Sequence, residues 1–229
     1  RCSRDWSSDV CSSDLYGDAV DEYQDGSTSE GYLNDDFKVL EGLRNYRPQE
    51  GVPQFLFLHL MSAHPLGLRH AEYRRWSPSE VGVRSLSTEQ LVPAYVNNYH
   101  NGILQADAVI ERIFGLLRDK GLLKDAIVVV TADHGELLGE EGRIGHARPV
   151  PLEGLVRVPL LISGPRRTEG GGQRTDARTD DRAVSLLDLE DLTLATAGLR
   201  EPGATPTAAT ISMPSVVRLP DQCDRVWRG

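Results

Sequence analysis

Three short apolar runs, Gln54–Met61, Ala126–Thr131 and Val158–Ser163, flank one long stretch with helical spacing. Between Val92 and Arg118 the residues Tyr95, Tyr99, Ile103, Ala106, Val109, Ile110, Ile113, Leu116 and Leu117 recur at three- and four-residue steps. That spacing places them along one helix face, and Lys120-Gly121 supplies the stop signal. The three runs are strand-sized and lack polar alternation, so each reads as a strand buried on both faces. A strand, a long helix and two further strands form a layered α/β order. Asp35–Asn45 reads as a short amphipathic helix behind an Asn34/Asp35 cap, and Ser185–Ala197 as another helix ending at Gly198. Tyr16–Leu33, Ser62–Leu86 and Arg166–Arg182 read as polar loops, and beyond Pro202 the pattern is lost.

Composition narrows the partners. With 229 residues, 39% hydrophobic and 26% charged, the chain is long enough to bury a core in one or two domains. A net charge of −9 leaves no basic footprint for nucleic acid or for an anionic membrane surface. No apolar run approaches the ~18 residues of a membrane span. Three cysteines do not make a disulfide framework.

Arg1–Leu15 has neither periodicity nor the layout of a signal peptide. Its residues Trp6–Leu15 back-translate into the text of a common sequencing adapter. The expectation is an adapter artefact over 1–15, then an acidic loop and short helix over 16–50. A catalytic-type domain over 51–200 and an irregular tail over 201–229 complete the organisation.

The chemistry concentrates at Thr131-Ala-Asp133-His134-Gly135-Glu136. Asp133 and His134 are strong metal ligands just past a buried strand, and α/β sheets bind ligands outside the carboxyl ends of their strands. Gly135 permits a sharp turn. The loop runs on through Gly139, Glu140, Glu141, Gly142 and Gly145 to His146, which is able to fold back over the same pocket. The spacing is neither that of an HExxH zinc helix nor that of an EF-hand loop. His59 reads as a core histidine inside its apolar run. His70 and His100 read as surface or helix-packing residues, and Asp107 as a structural hydrogen-bonder.

The ordered blocks resemble the carboxyl-terminal half of the sulfatase family, within the alkaline-phosphatase-like superfamily. They are Phe55-Leu-Phe-Leu-His-Leu-Met-Ser-Ala-His64-Pro65, Tyr99 through Leu117, Thr131 through Glu136, Gly139 through His146, Leu155 through Pro165, and Ala183 through Leu199. The resemblance implies a three-layer α/β/α domain around a mixed sheet, incomplete at its amino end. It implies a metal-dependent hydrolase of sulfate esters. Asp133 and His134 match a pair of ligands to a divalent cation. His64 and His146 match side chains that contact sulfuryl or leaving-group oxygens, and Glu136 matches a supporting position. Many calcium sulfatases carry Asn where His134 stands, so the set of Ca²⁺, Mn²⁺ and Zn²⁺ tilts toward the latter two.

The family's nucleophile lies within Cys/Ser-x-Pro-x-Arg near its amino terminus. Cys11 lacks the Pro and Arg, and Ser163-Gly-Pro165-Arg-Arg167 fits the pattern but follows the metal pair. The expectation is therefore that this chain carries no nucleophile and is inactive alone. Substrates in reach of such a site are sulfate- or phosphate-ester small molecules, glycans or lipid headgroups. Relatives often work in the periplasm, at a membrane or outside the cell. Transfer of phosphoethanolamine or a related lipid headgroup, hydrolysis of phosphonates or phosphodiesters, and a non-catalytic binding module are the alternatives. An incomplete sheet would also expose an apolar edge and limit solubility.

Overall fold

A computed structural model describes residues 21–28, 33–81, 88–146, 152–164, 179, 183–199, 211–213 and 225–227. The expected adapter segment 1–15 with Cys11, most of the 166–182 loop and residues 165–167 of the Ser-x-Pro-x-Arg match lie outside them. The chain divides into two compact units, Arg1–Gly121 and Leu122–Gly229.

The first unit is built on two helices. Helix α1 spans Asp36–Asn45, and its N-cap is Asp35, whose side chain accepts the Phe37 N–H at 3.0 Å. Helix α2 spans Thr88–Asp119, starting one turn before the apolar spacing does and enclosing Pro93. Leu40 and Leu43 of α1 meet Val109 and Ile113 of α2, and all four are buried. Full burial of such side chains contributes roughly 1.5–3 kcal/mol each.

Gln54–Met61 departs from its expected role. Leu56, Leu58 and Leu60 pack on this core, while Phe55 and Phe57 are 85% and 68% exposed. The segment is therefore covered on one face only, and among the described residues it joins no β-ladder. His59 shares the open face and is exposed, so it is not a core histidine. Pairing here is mixed in direction, because Asn34 bridges antiparallel to Ser27 and parallel to Gly67.

The second unit opens with β1, Val128–Thr131. A tight hairpin follows, made of β2, Leu137–Leu138, and β3, Ile144–Gly145. One helical turn, α3 (Glu153–Val156), leads into β4, Leu160–Ser163. β4 pairs antiparallel with β1, from Val128↔Ser163 to Thr131↔Leu160. Both strands are less buried than their composition suggested, with Leu161 60% exposed. Leu137 and Leu155 are the buried apolar pair beneath the hairpin. Ser185 caps the next segment by accepting from Leu187 N–H while Asp188 accepts from Ser185 N–H. Helix α4, Leu189–Thr196, then runs to Gly198 with φ +69°. Within the 201–229 stretch, β5 (Ile211–Met213) pairs antiparallel with β6 (Arg225–Trp227). Strand pairs with flanking helices make the chain α/β, consistent with an alkaline-phosphatase-like α/β/α fold.

Candidate metal centre

β1 delivers the chain to Asp133 and His134. The Asp133 carboxylate accepts the His134 backbone N–H at 3.0 Å, and its second oxygen lies 3.7 Å from His134 Nε2. The two side chains therefore lie on the same side of the turn. His134 Nδ1 is 2.9 Å from the Gly135 carbonyl oxygen. A carbonyl only accepts, so Nδ1 carries the proton and donates. That leaves the lone pair on Nε2, the form in which histidine ligates metals.

Gly135 is required by proximity. Its N–H donates to the Leu155 carbonyl at 2.8 Å, and a Cβ there would stand 2.0 Å from the Gly154 carbonyl oxygen. The turn is thereby pinned against α3, which aims the following residues into the hairpin.

The β2–β3 hairpin then does what the primary structure does not display. Its register is Leu138↔Ile144 and Leu137↔Gly145, so the next pair outward is Glu136 with His146. Gly145, at φ +85°, supplies the backbone turn just before His146. Glu136 Oε2 accepts from His146 Nδ1 at 2.7 Å, with only 7% of the Glu136 side chain exposed. The His146 ring lies 4.3 Å from the His134 ring, tilted by 31°. The pKa of His146 is raised above its usual 6.5, first by the hydrogen bond to Glu136, against the lowering effect of burial. The charges of Glu136 and Asp133 raise it further.

Ligand atoms of His134, Glu136 and His146 all lie within 4.8 Å of one another. Two imidazole nitrogens and one carboxylate oxygen are donors of the kinds that hold divalent ions. The donor set therefore fits a divalent metal. Asp133 stands beside this trio, with 81% of its side chain exposed.

His64 belongs to the first unit. Its Nδ1 accepts the Leu66 N–H at 3.1 Å, which places the neutral ring's proton on Nε2 and makes that nitrogen a donor. The loop around it is fixed by buried polar groups that sequence reasoning missed. Asp36 accepts the N–H groups of Met61 and Ser62 at 2.7 and 2.9 Å, and also the Ser62 hydroxyl. Gln105 Nε2 donates to Ser62 Oγ at 2.8 Å and to the Leu68 carbonyl at 2.7 Å, while its Oε1 accepts the His70 N–H at 2.8 Å. Both are almost fully buried. The available signals were an acid directly after an N-cap and a glutamine on the apolar side of α2. His70 packs on Phe37 and bonds Asp35, and His100 is exposed beside Trp76, as expected of helix-packing and surface residues. Asp107 is exposed on α2.

Comparison with known proteins gives relatives named as sulfatases and as transferases. The chain is 36% identical over 115 residues to arylsulfatase K of Xenopus laevis, covering 50% of this chain and 20% of that protein. It is 32% identical over 127 residues to the extracellular sulfatase SULF-1 homolog of Drosophila melanogaster, covering 52% and 11%. It is 27% identical over 137 residues to phosphoethanolamine transferase EptA of Escherichia coli O157:H7, covering 55% and 23%. The chain thus spans less than a quarter of the length of these three relatives. No solved structure gives a significant match. The model of the family described as Sulfatase matches residues 5–199. A match over that span, most of the chain, means that this chain belongs to the sulfatase family.

Proposed function

We propose that this chain is the metal-bearing part of a hydrolase of sulfate esters. The observation that carries the reading is the convergence of His134, Glu136 and His146 at the end of β1, with Asp133 beside them. A divalent ion there would neutralise charge on sulfuryl oxygens as it builds up. In this reading Asp133 and His134 ligate the ion, with His134 Nε2 presented by the Nδ1–H bond to Gly135. His146, oriented by Glu136, contributes an N–H to a substrate or leaving-group oxygen. His64, through Nε2–H, contacts a further oxygen.

The trio favours a second arrangement of the same centre, in which Glu136 is itself a ligand. Calorimetric titration of the metal-free chain with Zn²⁺ and Mn²⁺ tests both. Saturable binding of one ion, lost in His134→Ala, is expected. Asp133→Asn should weaken binding by about a hundredfold if Asp133 ligates, and leave it nearly unchanged if Glu136 takes its place. Equal affinity in wild type and His134→Ala would refute the centre altogether.

A lipid-headgroup transferase is the rival chemistry, favoured by the 27% identity to the phosphoethanolamine transferase. In the whole protein, turnover of an aryl sulfate supports hydrolysis. Label transfer from a phosphoethanolamine lipid without sulfate release supports the rival.

A further inference from the structure

The loop that carries His64 is wrapped around a buried cation. Arg69 is 6% exposed, and its guanidinium donates to the backbone carbonyls of Ala63 at 3.4 Å, His64 at 2.7 Å, Pro65 at 3.5 Å, and Gly67. Its Nε is buried with no hydrogen-bond partner among the described residues. A buried guanidinium is ordinarily balanced by a carboxylate. Among the described residues Arg69 is in no ion pair, and the neighbouring acid, Asp36, spends both oxygens on Met61 and Ser62. Burial pulls the Arg69 pKa down to about 10, with Asp36 and Tyr95 opposing this and Arg74 adding to it. Arg74 comes close because its Nε donates to the Arg69 carbonyl at 3.1 Å.

These two arginines line a cavity of about 170 Å³ in the first unit, with Gly67, Asn98 and Asn101 in its wall and the exposed carboxylate of Glu80 also contributing. Asn98 Nδ2 and both ends of the Asn101 amide are engaged by backbone partners, which leaves two arginines against one carboxylate as the charged groups of the wall. We propose that this cavity is an oxyanion site, taking a sulfate or phosphate group against Arg69 and Arg74. The donors left for such an oxyanion are the unpartnered Nε–H of Arg69 and the Nη groups of Arg74, since Arg69 Nη1 and Arg74 Nε are spent on backbone carbonyls. A volume of about 170 Å³ is enough for a compact tetrahedral anion, and Gly67 lies in the wall without a side chain. A Cβ at Gly67 would stand 1.9 Å from the Met61 carbonyl oxygen, so no side chain fits there. The group is either a free ion or a second anionic substituent of a substrate. The inference goes beyond the proposed reaction and does not depend on the metal.

The test is titration of the full chain, labelled with ¹⁵N-arginine, with inorganic sulfate, inorganic phosphate and a monosulfated glucosamine. Chloride at matched ionic strength is the reference. A saturable shift of the Arg69 Nε–H resonance that chloride does not reproduce is expected. Arg74→Ala, at an exposed position, should weaken the affinity about tenfold. Arg69→Lys should weaken it as well, and if that variant fails to fold, Arg74→Ala alone decides. Saturation by the sugar sulfate at least as tight as by the inorganic ions assigns the site to a substrate group. Saturation by the inorganic ions alone assigns it to a free oxyanion. Asp133→Ala, which removes a proposed metal ligand, should leave the titration unchanged. No saturable shift with any probe, equal affinity in Arg74→Ala, or loss of binding in Asp133→Ala would overturn the proposal.

Discussion

At the scale of single residues the centre is governed by who donates to whom. Glu136 accepts from His146 and stabilises its charged form, so the folded-state pKa of His146 lies above 6.5. A raised pKa contributes stability that is fully present below about pH 6.5 and is lost as pH rises through the folded-state value. The metal-free chain should therefore lose thermal stability above pH 6.5, and His146→Gln should flatten that part of the profile. Measuring the His146 ring by NMR should return a value nearer 6.5 in Glu136→Gln. A profile unchanged in His146→Gln would remove the Glu136–His146 pair from the stability account. Gly135 makes a steric prediction. Gly135→Ala forces a methyl group against the Gly154 carbonyl, a backbone atom without a rotamer to escape to. Urea denaturation should show a loss of about 1–3 kcal/mol. Asp133, His134 and His146 were legible in the sequence because ligand types, glycines and a strand end coincide within sixteen residues or so. Glu136 was legible as a supporting residue, but its hydrogen bond from His146 was not, because it depends on cross-strand pairing.

At the scale of elements, local signals were legible and long-range ones were not. Asp35 announced α1, three- and four-residue spacing announced α2, and Ser185 announced the segment leading to α4. β1 and β4 lie inside the apolar runs that marked them. Gln54–Met61 was misread as doubly buried because an apolar run does not state what covers its second face. The Asp36, Ser62 and Gln105 set was illegible for a similar reason, since its members are 26 and 43 positions apart in the chain. It joins α1, the His64 loop and α2, so one substitution should loosen all three. Gln105→Ala would leave the Leu68 carbonyl and the His70 N–H without their partner. Each buried group left unsatisfied costs about 1–3 kcal/mol. Hydrogen exchange should quicken at Met61, Ser62 and His70 together, whereas faster exchange at His70 alone would show that the three elements are not coupled.

At the scale of the whole molecule the open face of residues 54–61 governs behaviour in solution. Phe55 and Phe57 are exposed on an extended segment without a ladder among the described residues, and Leu161 is exposed on β4. Exposed apolar strands template association. Phe55→Ser combined with Phe57→Ser should raise the soluble concentration severalfold without lowering the unfolding midpoint, since the core contacts come from Leu56, Leu58 and Leu60. Light scattering at matched concentration checks the first part and circular dichroism the second. A fall in the midpoint would mean that the phenylalanines are part of the packing. The class of the fold was legible from the order of apolar runs and periodic stretches, whereas strand pairing had to come from three dimensions.

The hairpin behind β1 carries an arithmetic constraint. Its two arms meet so that paired positions always add to the same number, and only that sum sets carboxylate against imidazole. Where the turn geometry holds that sum fixed, inserting a single residue between Gly139 and Arg143 sets Gly145 opposite Glu136 and turns the imidazole to the opposite face of the ribbon. The length of this small loop is therefore as much a part of the centre as the side chains are. Natural variants that keep the chemistry should vary the composition of the loop freely and its residue count hardly at all.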